Sequence, residues 1–463
     1  MEITTSYTVA LKAQMKSTVS GKKKSADEFT GEKRISDDLM RSTADECLAA
    51  YRTCADAFLE SWNRISTYPV STKKGVISRR RFGDLLIHST KNSHAEYPKF
   101  DKDHGSMPSY MRRAIIADVI GSISSFMSNH KNWETADPEK RGAEPAFGYP
   151  SSYELTFYRQ DRETSLLENG IIGVKLYDGK SWDWHYFRIS MADARFICRL
   201  CRSRKMLSPV IEKKGHRWLI RFSFSENAAL TEKKPLEQSI LAVDLGIISP
   251  ASWCVMESGG TVRARGIIHL AREEDRLRHL MNRSRKYQQA GKKSHCVYRM
   301  MNAANKQLSV DTTRALIEIA EKYDVDCIVF EHLDTSGKKH GRTKQRLHMW
   351  RCRDVQKRVE LQAHRRGMRT SRVCAWGTSR LAFDGSGPVK RGKAAGEGVP
   401  YNISIFSTGK QYNCDLGASM NIGARYFLRA IADEYENIRL PATPQRTLSD
   451  LIGVANARHS SQN

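Results

Sequence analysis

The chain has 463 residues, 40% of them hydrophobic, so it can bury more than one core and is expected to fold as two or three domains. Its 76 lysines and arginines outnumber its 51 aspartates and glutamates, which leaves a formal net charge of +25 and makes polyanions the expected partners. No stretch reaches the roughly 18 apolar residues of a spanning helix and no signal peptide is evident, which excludes a membrane protein and favours a cytoplasmic one.

The N-terminal part of the chain begins with a strand and continues with helices. Residues 3–13 alternate in polarity as strands do, whereas the Lys- and Ser-rich residues 17–37 lack a hydrophobic period and are predicted to form a loop. One helix is expected to begin at Thr43, with Thr43 as its N-cap and Glu46 as the capping-box partner. A second helix is predicted over residues 109–130.

A run of arginines lies between these two predicted helices. It forms either a solvated surface or a set of phosphate contacts, and both interpretations stay open. The candidate nucleic-acid contacts in this run are Arg79, Arg80 and Arg81.

From residue 145 to residue 226 the hydrophobic period changes to two, which predicts an antiparallel β unit. Aromatic residues alternate with Lys and Arg in these runs; such rings can stack on nucleotides, but on half-buried strands they belong more often to the core. Cys198 and Cys201 have the spacing of half a zinc site, yet no second pair of cysteines accompanies them. We interpret them as two thiols on one helix.

After the charged linker over residues 231–238, strands and helices alternate, which predicts an α/β domain. Two basic helices are expected between residues 272 and 322 and a third over residues 344–366. A Gly-rich loop over residues 384–398 and a final helix over residues 416–435 complete this domain. The basic residues expected to contact nucleic acid here are Arg283, Arg285, Lys286, Arg346 and Arg351.

Three acidic residues in this domain stand at the ends of apolar strands or at the start of a helix. Asp244 interrupts the apolar segment LAVDLG, Glu331 ends the apolar run in CIVFEHL, and Asp415 precedes the last predicted helix in NCDLGASMNI. A buried carboxylate is costly unless a cation or hydrogen bonds compensate it. Each acid alone is well explained as a strand-end or N-cap residue. The three together, in a domain of this charge, predict one catalytic site.

Convergent carboxylates are suited to phosphodiester hydrolysis. That reaction needs charge neutralisation on both the attacking and the leaving oxygen, which two divalent ions roughly 3.5–4 Å apart provide. Hard carboxylate oxygens select Mg²⁺. We therefore predict that Asp244, Glu331 and Asp415 are both the catalytic residues and the ligands of two Mg²⁺ ions.

The segments LAVDLG, VFEHLD and CDLGASMNIGARYFLRA, in this order, resemble the three RuvC motifs of the TnpB transposon-encoded nucleases and of their descendants, the type V CRISPR effectors. The resemblance covers most of residues 238–430, whereas the N-terminal part is similar only in layout. It assigns the family's catalytic positions to Asp244, Glu331 and Asp415. It also implies that Arg380 and Asn421 lie near the active site, where Arg380 is expected to contact nucleic acid and Asn421 to have a supporting role.

The resemblance implies a multidomain α+β, bilobed architecture. An N-terminal β-barrel-like wedge domain would carry a helical recognition insertion, and a C-terminal RNase H-like (RuvC) α/β domain would follow. The expected boundaries are residues 1–14 for the first wedge strand, 15–140 for the helical recognition domain, 141–237 for the rest of the wedge domain, 238–375 for the nuclease domain with motifs I and II, 376–411 for a target-nucleic-acid loop, 412–440 for motif III and the final helix, and 441–463 for a flexible tail.

One departure from the family concerns zinc. Many TnpB proteins carry a four-cysteine zinc ribbon between the second and third motifs, but residues 376–411 of this chain contain no cysteine. Cys374 and Cys414 flank this segment and cannot complete a tetrahedral site by themselves. We expect no structural zinc and a loop in place of the ribbon, a pattern compatible with a form intermediate between TnpB and the CRISPR effectors.

The function implied by the resemblance is RNA-guided cleavage of DNA. Such a protein binds a structured guide RNA, reads a short motif next to its double-stranded DNA target and cuts with a single RuvC site, as a monomer with one RNA in the nucleoid-associated part of a prokaryotic cytosol. An RNA-guided repressor without cleavage, an unguided RNase H-fold transposase or resolvase, and a basic structural nucleic-acid protein are the alternatives. Composition alone indicates only a polyanion partner and a metal-carboxylate site.

Overall fold

The computed structural model describes residues 1–17, 25–70, 76–139, 141–158, 161–246, 249–333, 349–435, 440–442 and 445–462. The chain divides into two compact units. The first comprises residues 2–226, and the second comprises Met1 and residues 227–463. Helices and strands occur in both units, so the chain is a multidomain α+β protein, as the sequence predicts.

The first unit contains two long helices that form the centre of its core. Helices in the described part of this unit are α1 (Asp37–Glu60), α2 (Trp62–Ile65), α3 (Arg79–Ile87), α4 (Lys99–His104), α5 (Ser109–Thr135) and α6 (Met191–Ser203). The start of α5 agrees with the prediction, and α6 carries Cys198 and Cys201. The predicted start of α1 is wrong, because Ser36 is the N-cap and accepts a hydrogen bond from the Leu39 backbone N–H. Thr43 is instead buried within α1.

The strands of the first unit form two separate sheets. They are β1 (Glu2–Ala10), β2 (Ala13–Ser17), β3 (Phe29–Lys33), β4 (Leu155–Thr156), β5 (Arg162–Glu163), β6 (Ile171–Tyr177), β7 (Trp182–Arg188), β8 (Lys205–Met206), β9 (Val210–Lys214) and β10 (Arg217–Asn227). One sheet has the order β1-β10-β9-β4, with β8 paired to β10, and the other has the order β3-β2-β7-β6-β5.

Two expectations for the first unit need correction. The described strands do not close into a barrel, since β1 and β4 are the two edges of one sheet and β3 and β5 the two edges of the other. The inner strands bury Phe187, Phe222 and Phe224 in one core with α1 and α5. Residues 15–140 are also not purely helical, because β2 and β3 lie there. The predicted loop over 17–37 contains β3, where the Phe29 ring packs against Tyr186 at a centroid distance of 5.1 Å.

The second unit is built on a mixed five-stranded sheet with the order β13-β12-β11-β14-β15. Strands β11, β12 and β13 pair antiparallel, whereas β11, β14 and β15 run parallel. A small antiparallel sheet of β16, β17 and β18 follows. The strands are β11 (Ile240–Asp244), β12 (Ala251–Met256), β13 (Val262–Ile268), β14 (Cys327–His332), β15 (Arg369–Cys374), β16 (Lys390–Arg391), β17 (Ile403–Ile405) and β18 (Gln411–Asn413).

Helices cover both faces of the large sheet. Those described are α7 (Ala271–Gln289), α8 (His295–Lys322), α9 (Cys352–Arg365), α10 (Cys414–Glu434) and α11 (Leu448–Gln462). Helices α8 and α9 pack on one face through residues such as Leu316 and Val359. Helices α10 and α11 pack on the other face through residues such as Phe427 and Leu451.

Two C-terminal segments differ from the prediction. The expected flexible tail contains α11, because Leu448 and Leu451 are buried in the core beneath the sheet and hold the helix there. The expected loop over residues 376–411 contains β16 and β17 rather than irregular chain alone. No helix in the described ranges is long and apolar enough to cross a membrane.

Candidate active site

Two of the predicted acids lie side by side on the central parallel strands. Val243 of β11 pairs with Phe330 of β14, and Asp244 and Glu331 each follow directly at the carboxyl ends of these strands. Side chains alternate between the faces of a sheet, and Ala242 and Val329 belong to the core shared with α10. Asp244 and Glu331 therefore lie on the sheet face that α10 covers.

The third acid belongs to the first turn of α10. Asp415 follows Cys414, the first residue of that helix, so the helix begins two residues before the predicted start at Leu416. The side chain of Asn413 caps the helix and accepts hydrogen bonds from the backbone N–H groups of Asp415 (3.0 Å) and Leu416 (3.1 Å). Asp415 is therefore not the N-cap, and its carboxylate accepts a hydrogen bond from the Cys414 thiol at 3.1 Å.

A glycine allows α10 to approach the strand that carries Asp244. A Cβ atom at Gly423 would lie 3.0 Å from Met256 Sδ and 3.3 Å from the Cβ of Ala242. A side chain at this position would therefore force Met256 or Ala242 to move by a few tenths of an ångström, whereas glycine permits the observed separation. The close packing of α10 on β11 brings the N-terminal turn of the helix, with Asp415, to the sheet edge where Asp244 lies.

The three carboxyl groups interact electrostatically. The pKa of Asp244 lies well above its ordinary value of 3.8. The main cause is burial of the carboxyl, and the negative charges of Glu331 and Asp415 raise the pKa further. Burial also raises the pKa of Glu331, while a hydrogen bond from Thr378 and the charge of Arg425 act in the opposite direction. The site accumulates negative charge that a cation would relieve.

Glu331 is held by residues from outside its own strand. The hydroxyl of Thr378 donates a hydrogen bond to Glu331 Oε1, and Thr378 is buried. Arg425 is 2% exposed, and its Nη1 atom donates to the backbone carbonyls of Cys374 (2.7 Å) and Trp376 (2.9 Å). These bonds fix the turn that follows β15, which carries Thr378.

Sequence analysis missed Thr378, Arg425 and also Arg391. Arg391, on β16, lies close enough to Asp244 for its charge to oppose the rise in the pKa of that carboxyl. Its guanidinium donates to the carbonyls of Ser379 (3.3 Å) and Tyr401 (3.4 Å). Arg425 and Arg429 are the two arginines of the largely apolar run NIGARYFLRA, which was the available signal for Arg425, whereas Arg391 stands in a basic run that gives no such signal.

Asn421 lies close to the acids, but its side chain bonds to backbone groups and is not one of the carboxylates of the site. Its amide donates to the carbonyls of Thr378 (2.9 Å) and Leu381 (3.0 Å), and its oxygen accepts from the Leu448 N–H at 3.3 Å. The residue is fully buried. It ties the Thr378 turn and the start of α11 to α10.

The predicted basic contacts are divided between exposed and internally bonded side chains. Arg283, Arg285 and Lys286 lie on the exposed side of α7, Arg380 is exposed in the turn after β15, and Arg351 precedes α9. Arg346 lies outside the described residues.

In the first unit, Arg79 donates to the carbonyls of Ser66 and Tyr68, and Arg81 pairs with Asp84 at 2.8 Å. Arg80 is exposed at the start of α3. Two of these three arginines therefore also stabilise their own unit.

The donor set fits Mg²⁺ by its chemistry, because it consists of carboxylate oxygens with unfavourable mutual repulsion. Across the described ranges, however, no group of three or more His, Cys, Asp or Glu side chains is arranged so that it could hold a metal ion. The acids share one sheet edge and one electrostatic environment, while Glu331 is engaged by Thr378.

The second of the two units is therefore a mixed α/β unit in which three acids lie at the carboxyl edge of the parallel strands. A model of the Aq_aa04 family matches residues 30–178, about a third of the chain. The comparison with curated proteins found no match to the chain.

The solved structures that the chain is similar to are type V CRISPR effectors. A Cas12f1–sgRNA–target DNA complex shares 10% identity, with 99% of both chains covered and a TM-score of 0.43. CasPhi-2 (Cas12j) bound to crRNA and phosphorothioate DNA shares 11% identity, with 96% of this chain and 92% of that chain covered and a TM-score of 0.44. An AacC2c1–sgRNA binary complex shares 10% identity, with 80% and 63% covered and a TM-score of 0.35.

Proposed function

We propose that the protein is an RNA-guided DNA endonuclease whose second unit is a RuvC-like nuclease domain. The observation that carries the proposal is the position of Asp244 and Glu331 on adjacent parallel strands, on the sheet face covered by the helix whose first turn carries Asp415. Ligand sites of α/β sheets form at the carboxyl ends of parallel strands. The charge of +25 supports a nucleic-acid substrate.

Asp244, Glu331 and Asp415 would hold two Mg²⁺ ions. When bound, such ions neutralise charge on the attacking and leaving oxygens of a phosphodiester. The protein's own contribution is orientation of the acids. Thr378 fixes one oxygen of Glu331, and the buried Arg425 fixes the turn from which Thr378 projects.

Arg391 would contribute positive charge next to the acids. It lies near Asp244 in a site that otherwise carries negative charge, and its guanidinium is located over the Tyr401 ring at 4.9 Å from the centroid. A phosphate that approaches three carboxylates is repelled unless cations balance them. Arg391 would draw the scissile phosphate toward the acids and hold it there.

The guide RNA is the part of the proposal that comes from the resemblance of the three motifs. The solved effectors named above are complexes with guide RNA, and some also contain DNA. The basic helix α7, with Arg283, Arg285 and Lys286 on its exposed side, would contact the nucleic-acid backbone. The first unit would supply the wedge and recognition functions that the resemblance implies.

The test is cleavage of double-stranded DNA by the purified protein in Mg²⁺, with sequencing of the RNA that copurifies. Asp244→Asn should abolish cleavage and leave the bound RNA unchanged, since the carboxylate serves the metal site. Asp433→Asn, which removes an exposed acid near the far end of α10, the helix that carries Asp415, is the control and should cut normally. Cleavage by Asp244→Asn would refute the site.

The RNA separates the remaining alternatives. A discrete guide with cleavage supports the proposal, whereas cleavage without any RNA supports an unguided transposase or resolvase. A wild-type protein that binds its guided target and never cuts it, at any Mg²⁺ concentration, is a repressor.

A further inference from the structure

A cavity of about 260 Å³ opens next to the strand that carries Asp244. Leu245 and Gly246, the two residues after Asp244, form one side of it, and helices α7, α8 and α9, Pro250 and residues 349–351 contribute the rest. Leu245 belongs to the core on the α8 and α9 face of the sheet. The cavity therefore lies at the same sheet edge as the three acids but on the opposite face.

The walls of the cavity combine apolar and polar residues in similar measure and include one aromatic ring. Leu277 and Met281 of α7 and Leu308 of α8 line it, together with Met349 and Trp350. Ligand pockets of roughly 300–1,000 Å³ hold drug-sized molecules, so a cavity of about 260 Å³ suits a smaller group such as one nucleotide. An indole ring is a platform on which any nucleobase can stack.

Three of the uncharged polar residues that line the cavity are already hydrogen-bonded. Asn305 Nδ2 donates to the Met349 carbonyl at 2.7 Å, and the hydroxyls of Ser309 and Thr312 donate to carbonyls of their own helix at 3.2 and 2.7 Å. Binding of a flat apolar face therefore leaves none of these donors without a partner.

The charged residues around the cavity favour an anion. Arg278, Arg285 and Arg351 line it against a single acid, Glu274, whose Oε1 already accepts the Leu270 N–H at 3.0 Å. Among the described residues, Arg278 forms an ion pair with the exposed Asp275 at 3.4 Å, a type of contact that contributes little and exchanges readily for a phosphate. An apolar wall with a ring and a basic rim matches a base joined to a phosphate.

We propose that this cavity binds one unpaired nucleotide of a DNA strand, with the base against Trp350 and the phosphate facing the arginines. The inference rests on the proposed nuclease function, because a strand that reaches Asp244 passes along the edge at which the cavity opens. We assign DNA as the occupant because the cavity opens at the sheet edge where the proposed DNA substrate would reach Asp244. The site would hold the strand next to the scissile phosphate.

Binding is measured separately from cleavage so that the two proposals fail separately. The probe is a short single-stranded oligodeoxynucleotide that carries 2-aminopurine, added to the full-length protein in the Asp244→Asn background. Leu277→Trp fills the cavity, and it should weaken binding about tenfold, or 1.4 kcal/mol, and restore the aminopurine fluorescence that Trp350 quenches. Leu277→Met, which conserves volume, should bind as the parent does.

Charge variants keep the test valid if Leu277→Trp does not fold. Arg278→Ala should reduce both affinity and quenching, whereas Arg276→Ala removes an exposed arginine of the same helix that does not line the cavity and should leave quenching unchanged. Unchanged affinity and fluorescence in both Leu277→Trp and Arg278→Ala would overturn the proposal. Equal binding of duplex DNA, or binding of an RNA oligonucleotide alone, would overturn it too.

The outcomes also separate this inference from the proposed function. If the protein cleaves DNA normally and the cavity variants bind the probe as the parent does, the nuclease proposal is supported and the nucleotide site is refuted. If the cavity variants weaken binding of the probe but the wild-type protein never cuts DNA, the nucleotide site is supported and the nuclease proposal is refuted.

Discussion

The hydroxyl of Thr378 donates a hydrogen bond to the carboxylate of Glu331. The two residues come from different elements, since Glu331 belongs to β14 and Thr378 lies in the turn after β15. Asn421 and Arg425, one turn apart on α10, hold the backbone of that turn through its carbonyl groups. The orientation of one proposed metal ligand therefore depends on the packing of a helix that carries another, Asp415.

Removal of the Thr378 hydroxyl should weaken the proposed metal site. Thr378→Val keeps the side-chain shape and leaves Glu331 free to rotate, and loss of such a supporting partner typically reduces metal affinity or activity about 10- to 100-fold. Titration of DNA cleavage against Mg²⁺ measures the effect, and Thr378→Ser should restore most of it. A Thr378→Val protein with the wild-type Mg²⁺ dependence would show that the bond has no functional role.

Arg425 should be important for stability. The cation is buried and bonds to the carbonyls of Cys374 and Trp376, at the end of β15, and to that of Arg446, which precedes α11, so it joins two separate segments. Arg425→Met leaves these acceptors without a charged donor, and the expected loss is about 3 kcal/mol in the free energy of unfolding.

The matched control for Arg425 is on the same helix. Arg429 is exposed and bonds to the Arg372 carbonyl and the Ser371 hydroxyl, so Arg429→Met should change stability by about 0.5 kcal/mol or less. Calorimetric scans of both variants provide the comparison. Equal Tm values for Arg425→Met and the wild type would contradict a structural role.

The acids could be found from the sequence because a carboxylate that interrupts a β-type apolar run is a local signal. Asp244 and Glu331 stand at the ends of such runs, and parallel pairing then brings them together. The partners that orient them give no comparable signal. Thr378 is an ordinary threonine in a turn, and its contact with Glu331 exists only because α10 packs against that turn.

Local signals also explain the errors in the predicted elements. Thr43 and Glu46 have the spacing of a capping box, but Ser36 followed by Asp37 and Asp38 provides a cap and a favourable acidic first turn further upstream. The C-terminal helix α11 was missed because its buried residues are few. Leu448 and Leu451 become core positions only against the sheet, which no local pattern reveals.

The buried carboxyl of Asp161 should make the stability of the first unit depend on pH. The residue is 2% exposed, its Oδ2 atom has no hydrogen-bond partner among the described residues, and Lys175 Nζ lies 3.9 Å from Oδ1. Burial raises the pKa of Asp161 above its ordinary value of 3.8, and Lys175 opposes this only in part. The folded state therefore favours the protonated carboxyl more than the unfolded state does.

The sign of this effect follows from proton linkage. As the pH rises from about 3.8 through the folded pKa, the first unit loses stability, because the folded protein must give up a proton that it binds more tightly. Asp161→Asn should raise the Tm at neutral pH, and this gain should disappear below pH 3.8.

An acid with the opposite shift is available as a control. Hydrogen bonds from the backbone N–H groups of Ser181 and Lys180 lower the pKa of Asp178. Asp178→Asn should therefore destabilise the protein at neutral pH, with the effect fading in acid. Thermal melts of both variants across pH test the pair, and an Asp161→Asn protein less stable than the wild type at pH 7 would contradict the assignment.

The segment that lacks the zinc ribbon is held by an aromatic cluster. The rings of Phe383, Phe406 and Tyr412 pack edge to face or tilted at centroid distances of 4.9 to 6.4 Å, and Lys410 Nζ lies 4.7 Å from the Phe383 centroid. Phe406 is 4% exposed. Burial of aromatic rings is an alternative to metal ligation for fixing a short β segment.

The last prediction therefore concerns Phe406. Phe406→Ala should cost about 3–5 kcal/mol locally and expose residues 390–413 to limited proteolysis, whereas Phe406→Leu should cost much less. A zinc-selective chelator, added with Mg²⁺ present, should leave the Tm of the wild type unchanged, because within the described part of the chain neither Cys374 nor Cys414 has a partner set that would bind zinc. Stoichiometric zinc in the purified protein, together with a lower Tm after chelation, would mean that a metal, and not this cluster, stabilises the segment.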